Sequence, residues 1–188
     1  MNKRFLLLAL FALIAALTRV IPHPLNFAPL AGIALFSAAY VKRKDFALLL
    51  PLVAYFISDL LVNNIVYAQY YDSFVFVTPG FMFTYGSILL ITFIGFVLLK
   101  KVSFVRVMSG SLLASLLFFL VTNFGAWLGN PTYPQTFEGL MISYNMGLPF
   151  VKNTMLGDLF YSAVLFGGFE AVSRYAPDWM LKTDSSLS

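Results

Sequence analysis

Apolar residues run through this chain in six stretches, each broken by a short polar or proline-bearing segment. Residues 5–21 form the first, behind Lys3 and Arg4 and interrupted only by Thr18 and Arg19. Pro22-His23-Pro24 ends it, because proline lacks a backbone donor and disfavours helix in the residue before it. Residues 27–41 form a short second stretch, stopped by Lys42-Arg43-Lys44-Asp45. The third, residues 46–66, is of spanning length, with Pro51 one turn in and Asp59 deep inside. A tyrosine-rich loop covers 67–78, and Pro79 opens a fourth stretch that runs to residue 99. Lys100, Lys101 and Arg106 mark the next turn, before a fifth stretch at 107–128 and a sixth at 149–173. The pattern predicts six transmembrane helices and a polar, fraying tail from residue 174. The first stretch reads as a retained helix rather than a signal peptide, since Ala16-Leu17-Thr18-Arg19 is a poor cleavage site.

Composition strengthens this reading. An apolar fraction of 60% against 11% charge is far from soluble averages, so residues 1–188 read as one integral membrane domain. The net charge of +4 does not point to nucleic acid, because the basic residues cluster in inter-helix loops. Lys3, Arg4, Lys42, Arg43, Lys44, Lys100, Lys101, Arg106, Arg174 and Lys182 fall on one side, and only Arg19 and Lys152 on the other. That asymmetry predicts both termini on the cytoplasmic face of the membrane, with outward loops at 22–26, 67–78 and 129–148. With no cysteine, disulfides and thiolate-held metals are excluded.

Polar chemistry collects in those outward loops. Tyr67, Tyr71, Tyr133, Tyr144 and Trp127 suit either an aromatic interface belt or the flat walls of a pocket. His23, Asn26, Asn123 and Asn153 add hydrogen-bonding groups at the same level. Within 136–145, Phe137, Leu140, Met141 and Tyr144 share one helical face, which predicts a short interfacial helix over the bundle. Burying an unpaired ionised group in hydrocarbon costs on the order of 2.5–3.5 kcal/mol or more. Asp59 and Asp158 should therefore face the bundle interior, where Arg19 or Lys152 can pair with them. They serve either as ties between helices or as the polar floor of a pocket. Ala12 and Ala16, and Ala34 and Ala38, permit close helix approach, which usually means internal packing. His23 is the only histidine and no glycine-rich phosphate loop is present, so neither an enzyme nor a resident metal or cofactor is expected.

The motifs carry a resemblance. Arg19-Val-Ile-Pro-His-Pro-Leu-Asn-Phe-Ala-Pro, with Ala34-Leu-Phe beyond it, resembles the start of a bacterial family of small membrane proteins of unknown function. Val121-Thr-Asn-Phe-Gly-Ala-Trp-Leu, Tyr133-Pro, Leu148-Pro-Phe-Val-Lys-Asn-Thr-Met-Leu-Gly-Asp, Phe160-Tyr and Leu165-Phe-Gly-Gly-Phe-Glu match it as well. That family is similar to the substrate-binding S-components of energy-coupling-factor (ECF) vitamin transporters, nearest to the solitary cobalamin-specific ones. The resemblance implies an S-component-like bundle of six helices that binds a vitamin at its outer face and works alone or with an ECF-type coupling module. His23 and Asp59 are similar in position to a loop histidine and a third-helix aspartate associated with the cobalamin site. That site's cysteine has no counterpart, and residues 67–73 occupy its region; His23 would be the ligand if the substrate carried cobalt.

The expectation is therefore a membrane-embedded protein that captures a vitamin-like small molecule outside and moves it inward. His23, Asn26, Asp59, Tyr67, Tyr71, Asn123, Trp127, Tyr133, Tyr144, Asn153 and Asp158 are its candidate binding residues. A structural scaffold or assembly factor without a ligand is the alternative, and a membrane enzyme acting on lipid or a precursor the third.

Overall fold

The computed structural model describes residues 3–175, and within them the chain is all helical, with no strand. The six helices are α1 (Lys3–Leu17), α2 (Leu30–Tyr40), α3 (Lys44–Leu61), α4 (Phe81–Leu98), α5 (Phe104–Gly129) and α6 (Phe137–Tyr175). A 3₁₀ turn, Thr18–Val20, extends α1, and a π-turn, Val62–Val66, prolongs α3. Four of these elements are long and apolar enough to cross a membrane: α3 with its π-turn, α4, α5 and α6. The described chain thus has the character of a multi-pass membrane protein. Of the fraying tail expected from residue 174, all but Arg174 and Tyr175 lies outside the described residues.

The shortest helix holds the middle. Every residue of α2 from Leu30 to Ser37 is buried, and α1, α3, α4, α5 and α6 all pack on it. A helix with no polar face is stable only where neighbours cover it on all sides. Its 11 residues span about 16 Å, roughly half the hydrocarbon thickness. Small residues bring α6 close to it. A Cβ on Gly32 would lie 3.2 Å from the Ser162 nitrogen, and one on Gly157 would lie 2.9 Å from the Ala28 nitrogen. Ala12, Ala16 and Ala34 are fully buried, and a Cβ on Gly95 would meet Ala38 at 2.5 Å, so the alanine pairs serve internal packing. Phe36 anchors the inner half of the core, with Phe11, Tyr40, Phe166 and Phe169 around its ring.

One expectation is corrected. The short interfacial helix at 136–145 and the separate sixth helix from Pro149 are a single helix of 39 residues, with Pro149 in its interior. Thr136 caps it, its Oγ1 accepting from Gly139 N at 3.2 Å. Proline at this position removes one backbone hydrogen bond and ordinarily signals a start or a kink. Packing on α5 outweighs that loss: Ser143 Oγ donates to Asn123 O at 2.8 Å and Tyr144 Oη donates to Leu120 O at 3.1 Å. Gly147 lies so close to the Asn123 side chain that a Cβ there would collide with its Oδ1. The 137–148 segment therefore closes against α5 as an antiparallel hairpin, the most extensive helix pairing in the molecule. It does not lie across the bundle as a lid.

Candidate functional site

Both buried acids are engaged by the protein itself. Asp59 receives Arg19 Nη1 at 2.7 Å and the Tyr85 hydroxyl at 2.8 Å. Arg19 also donates to Ser58 Oγ at 2.5 Å and lies 3.9 Å above the Tyr55 ring. One guanidinium thus joins the end of α1 to α3, and through Asp59 to α4. Arg19 was the expected partner of an acid; Tyr85, Ser58 and Tyr55 were not foreseen, because nothing in the sequence sets their register.

Asp158 pairs with neither Arg19 nor Lys152. Its Oδ1 accepts from the Ala31 backbone N–H at 3.1 Å and its Oδ2 from Ser115 Oγ at 2.6 Å, at 3% exposure. The reason lies in α2, whose N-cap position is Pro29, with no side chain able to cap. An aspartate on α6 supplies the missing acceptor, and its charge suits the positive end of the helix dipole. One turn further along α6, Ser111 Oγ donates to Ser162 Oγ at 2.6 Å. Thr18 and Tyr161 share a hydrogen bond of 2.7 Å. These contacts are interhelical ties, and neither aspartate lines either of the two recesses described below.

The cavity is one turn above Asp158. A cleft of about 240 Å³ opens between α5, α6 and the loop joining α1 to α2. Phe118, Phe119, Thr122, Asn123 and Ala126 line it from α5, Gly147, Phe150, Val151 and Thr154 from α6, and Asn26 from the loop. Asn26 is held in the left-handed region, φ 62°, the only non-glycine described residue there. Asparagine tolerates this region better than other residues with a side chain, because its short amide can hydrogen-bond locally. The loop is pinned by Asn153, whose Nδ2 donates to Leu25 O at 3.0 Å, and by Phe27, whose ring packs on Phe160 and Tyr161.

The cleft's hydrogen-bonding character follows from local bonds. Thr122 donates to Phe118 O at 2.7 Å, Thr154 to Phe150 O at 3.1 Å, and Asn123 Nδ2 to Phe119 O at 2.8 Å. With the hydroxyl protons committed to the helix backbone, Thr122 Oγ1 and Thr154 Oγ1 remain as acceptors, and Asn123 offers Oδ1 and the second N–H of its amide. No charged side chain lines the cleft. Phenylalanine faces with a few acceptors suit a flat, donor-bearing molecule.

The eleven sequence candidates are thereby divided. Asn26 and Asn123 line the cleft; Asn153 supports its loop; Tyr144 packs its ring on Phe119, a wall residue. Trp127 and Tyr133 belong to the brace of the α5–α6 turn, where Trp127 Nε1 donates to Pro134 O at 2.9 Å and Gln135 donates to Trp127 O and Tyr133 O. Tyr67 and Tyr71 are exposed in the α3–α4 loop and do not line the cleft. That loop is tethered by Asn64, which exchanges hydrogen bonds of 2.7 and 2.8 Å with the Val75 backbone. His23 is exposed, with Nδ1 2.9 Å from Pro24 O, and no three metal-binding side chains converge among the described residues. Thr122, Thr154 and the three phenylalanines were missed as a group. Mid-helix threonines at the facing ends of two apolar stretches were the available signal.

Fold and site define a helical, multi-pass membrane-type protein with an uncharged cleft at one end of its α5–α6 hairpin. The chain belongs to DUF6580, a family of unknown function, whose family model matches residues 1–179. No curated protein and no solved structure matches it. The likeness to ECF S-components and to cobalamin binders rests on the motif resemblance alone.

Proposed function

We propose that the chain is a membrane-embedded binding and uptake protein, which captures a compact vitamin-like molecule in the cleft between Asn26, α5 and α6. The carrying observation is the cleft itself, built from phenylalanine faces, threonine hydroxyls and the Asn123 amide beside a left-handed Asn26. Its size, about 240 Å³, suits a small heterocycle bearing N–H or O–H donors and falls well short of a corrinoid. Cobalamin is thus the least suited of the vitamins the motif resemblance suggests.

The bundle is S-component-like, with six crossings, both termini cytoplasmic, and the cleft opening outward. Ten basic residues against two support that orientation in a bacterial inner membrane. The shortness of α2 is compatible with a crossing, because irregular backbone at membrane depth is tolerated where protein surrounds it. Passage inward would depend on an ECF-type coupling module or on metabolic trapping of the ligand.

Thermal-shift and calorimetric titration of the purified protein against B vitamins and their precursors tests this. A donor-bearing compound should bind, and both Thr154→Val and Asn123→Ala should weaken it at least tenfold. Silence across the panel would overturn the reading. A structural scaffold is the second reading, favoured by the engagement of both aspartates in interhelical ties; it predicts that cleft substitutions leave uptake untouched.

A further inference from the structure

A second recess lies at the opposite end of the α5–α6 seam. It is a groove of about 410 Å³ between the start of α5 and the last turns of α6. Its walls are Phe104, Val107, Met108, Ala163, Phe166 and Gly167, with Glu170 at one edge. Gly167 is the informative residue. A Cβ there would meet no atom within 4 Å, whereas one on the adjacent Gly168 would lie 3.2 Å from the Phe11 ring. Glycine weakens a helix interior relative to alanine, and no internal contact here requires it. Its effect is to leave the groove open.

Cations flank the groove in sequence: Lys100 and Lys101, on the turn before α5, and Arg106, in its first turn, are exposed on either side of the lining residues 102–104, and Arg106 Nη1 donates to the Lys101 carbonyl at 3.5 Å. The N-terminal end of α5 adds positive potential at the same place. Of the polar groups that line the groove, Glu170 accepts from the Tyr40 hydroxyl at 2.7 Å and Ser162 Oγ from Ser111 at 2.6 Å, while Ser103 caps α5. An apolar trough ending in several cations matches a molecule with a hydrocarbon chain and an anionic head.

We propose that this groove holds one anionic phospholipid, an acyl chain lying along Ala163 and Gly167 and the phosphate on Lys100, Lys101 and Arg106. The site is independent of the outward cleft and of the ligand proposed for it. It would anchor the α5–α6 hairpin to the membrane at the end remote from that cleft.

Native mass spectrometry of the delipidated full chain, titrated with phosphatidylglycerol or phosphatidylcholine of matched acyl length, tests it. One phosphatidylglycerol should bind in preference to phosphatidylcholine. Neutralising a single cation, as in Arg106→Gln, should weaken binding about fivefold, and the triple Lys100→Gln/Lys101→Gln/Arg106→Gln variant about a hundredfold. Gly167→Leu fills open space, so it should fold with a melting temperature no lower than the wild type's and lose the bound lipid with every charge intact. Lys152→Gln, at the other end of the molecule, should bind normally. Equal binding of the two lipids would overturn the proposal. So would full binding by the single cation variants and by Gly167→Leu. Glycerol 3-phosphate should not compete; competition equal to that of the lipid would mark a simple anion site and overturn it too.

Discussion

Replacing Asp158 with alanine tests whether α2 is held by a cap borrowed from another helix. The substitution removes the acceptor for Ala31 N–H and the partner of Ser115 Oγ in a site that water does not reach. Losing a helix N-cap costs about 1 kcal/mol. An interhelical hydrogen bond in a membrane protein is worth about 0.6 kcal/mol, reaching about 1.7 at most. Asp158→Ala should therefore destabilise by about 2 kcal/mol, read as a shift in reversible unfolding of the detergent-solubilised protein followed by far-UV circular dichroism. Asp158→Asn separates hydrogen bonding from charge. Its carbonyl can keep Ala31, while its NH₂ donates to Ser115 Oγ, whose own proton turns to Ser111 O at 3.0 Å. That variant should lose less than about 1 kcal/mol. In a double-mutant cycle, Asp158→Ala and Ser115→Ala should couple by about 1 kcal/mol. The reasoning fails if Asp158→Ala unfolds with the wild type, or if asparagine is as damaging as alanine, which would place the effect in the charge.

Three further outcomes follow from the same contacts. Asp59→Ala strands the Arg19 guanidinium, 13% exposed, and should cost about 3 kcal/mol in the same unfolding assay, whereas the double Arg19→Met/Asp59→Leu variant should recover most of it. Asn26→Ala removes the short polar side chain that lets asparagine tolerate the left-handed region and should lose about 1 kcal/mol, while Asn26→Gly should stay within about 0.5 kcal/mol of the wild type in stability, separating backbone conformation from any loss of ligand binding. Because the chain has no cysteine, single substitutions report topology cleanly: Tyr70→Cys and Gln135→Cys should react with an impermeant maleimide in intact cells, and Lys101→Cys only after lysis.

The sequence by itself determined that this is a helical membrane-type chain, roughly where its apolar stretches begin and end, and that its two buried acids need partners. Each of these follows from local quantities: the length of an apolar run, the donor a proline lacks, the cost of an unpaired charge in hydrocarbon. It also placed Asn26, Asn123 and Asn153 at one level, since all three flank the same predicted loops. Only the tertiary structure decided which partners the acids have, because hydrogen-bond register between helices depends on rotation and depth that no single run encodes. Proline at 149 signals a helix start by local rules, yet contacts across α5 carry the helix straight through it. Tyr67, Tyr71 and His23 do not line the α5–α6 cleft, which composition alone could not tell. In the same way Asp158, read in sequence as either a tie between helices or the floor of a pocket, is a tie, capping the N-terminus of a short central helix that cannot supply its own cap.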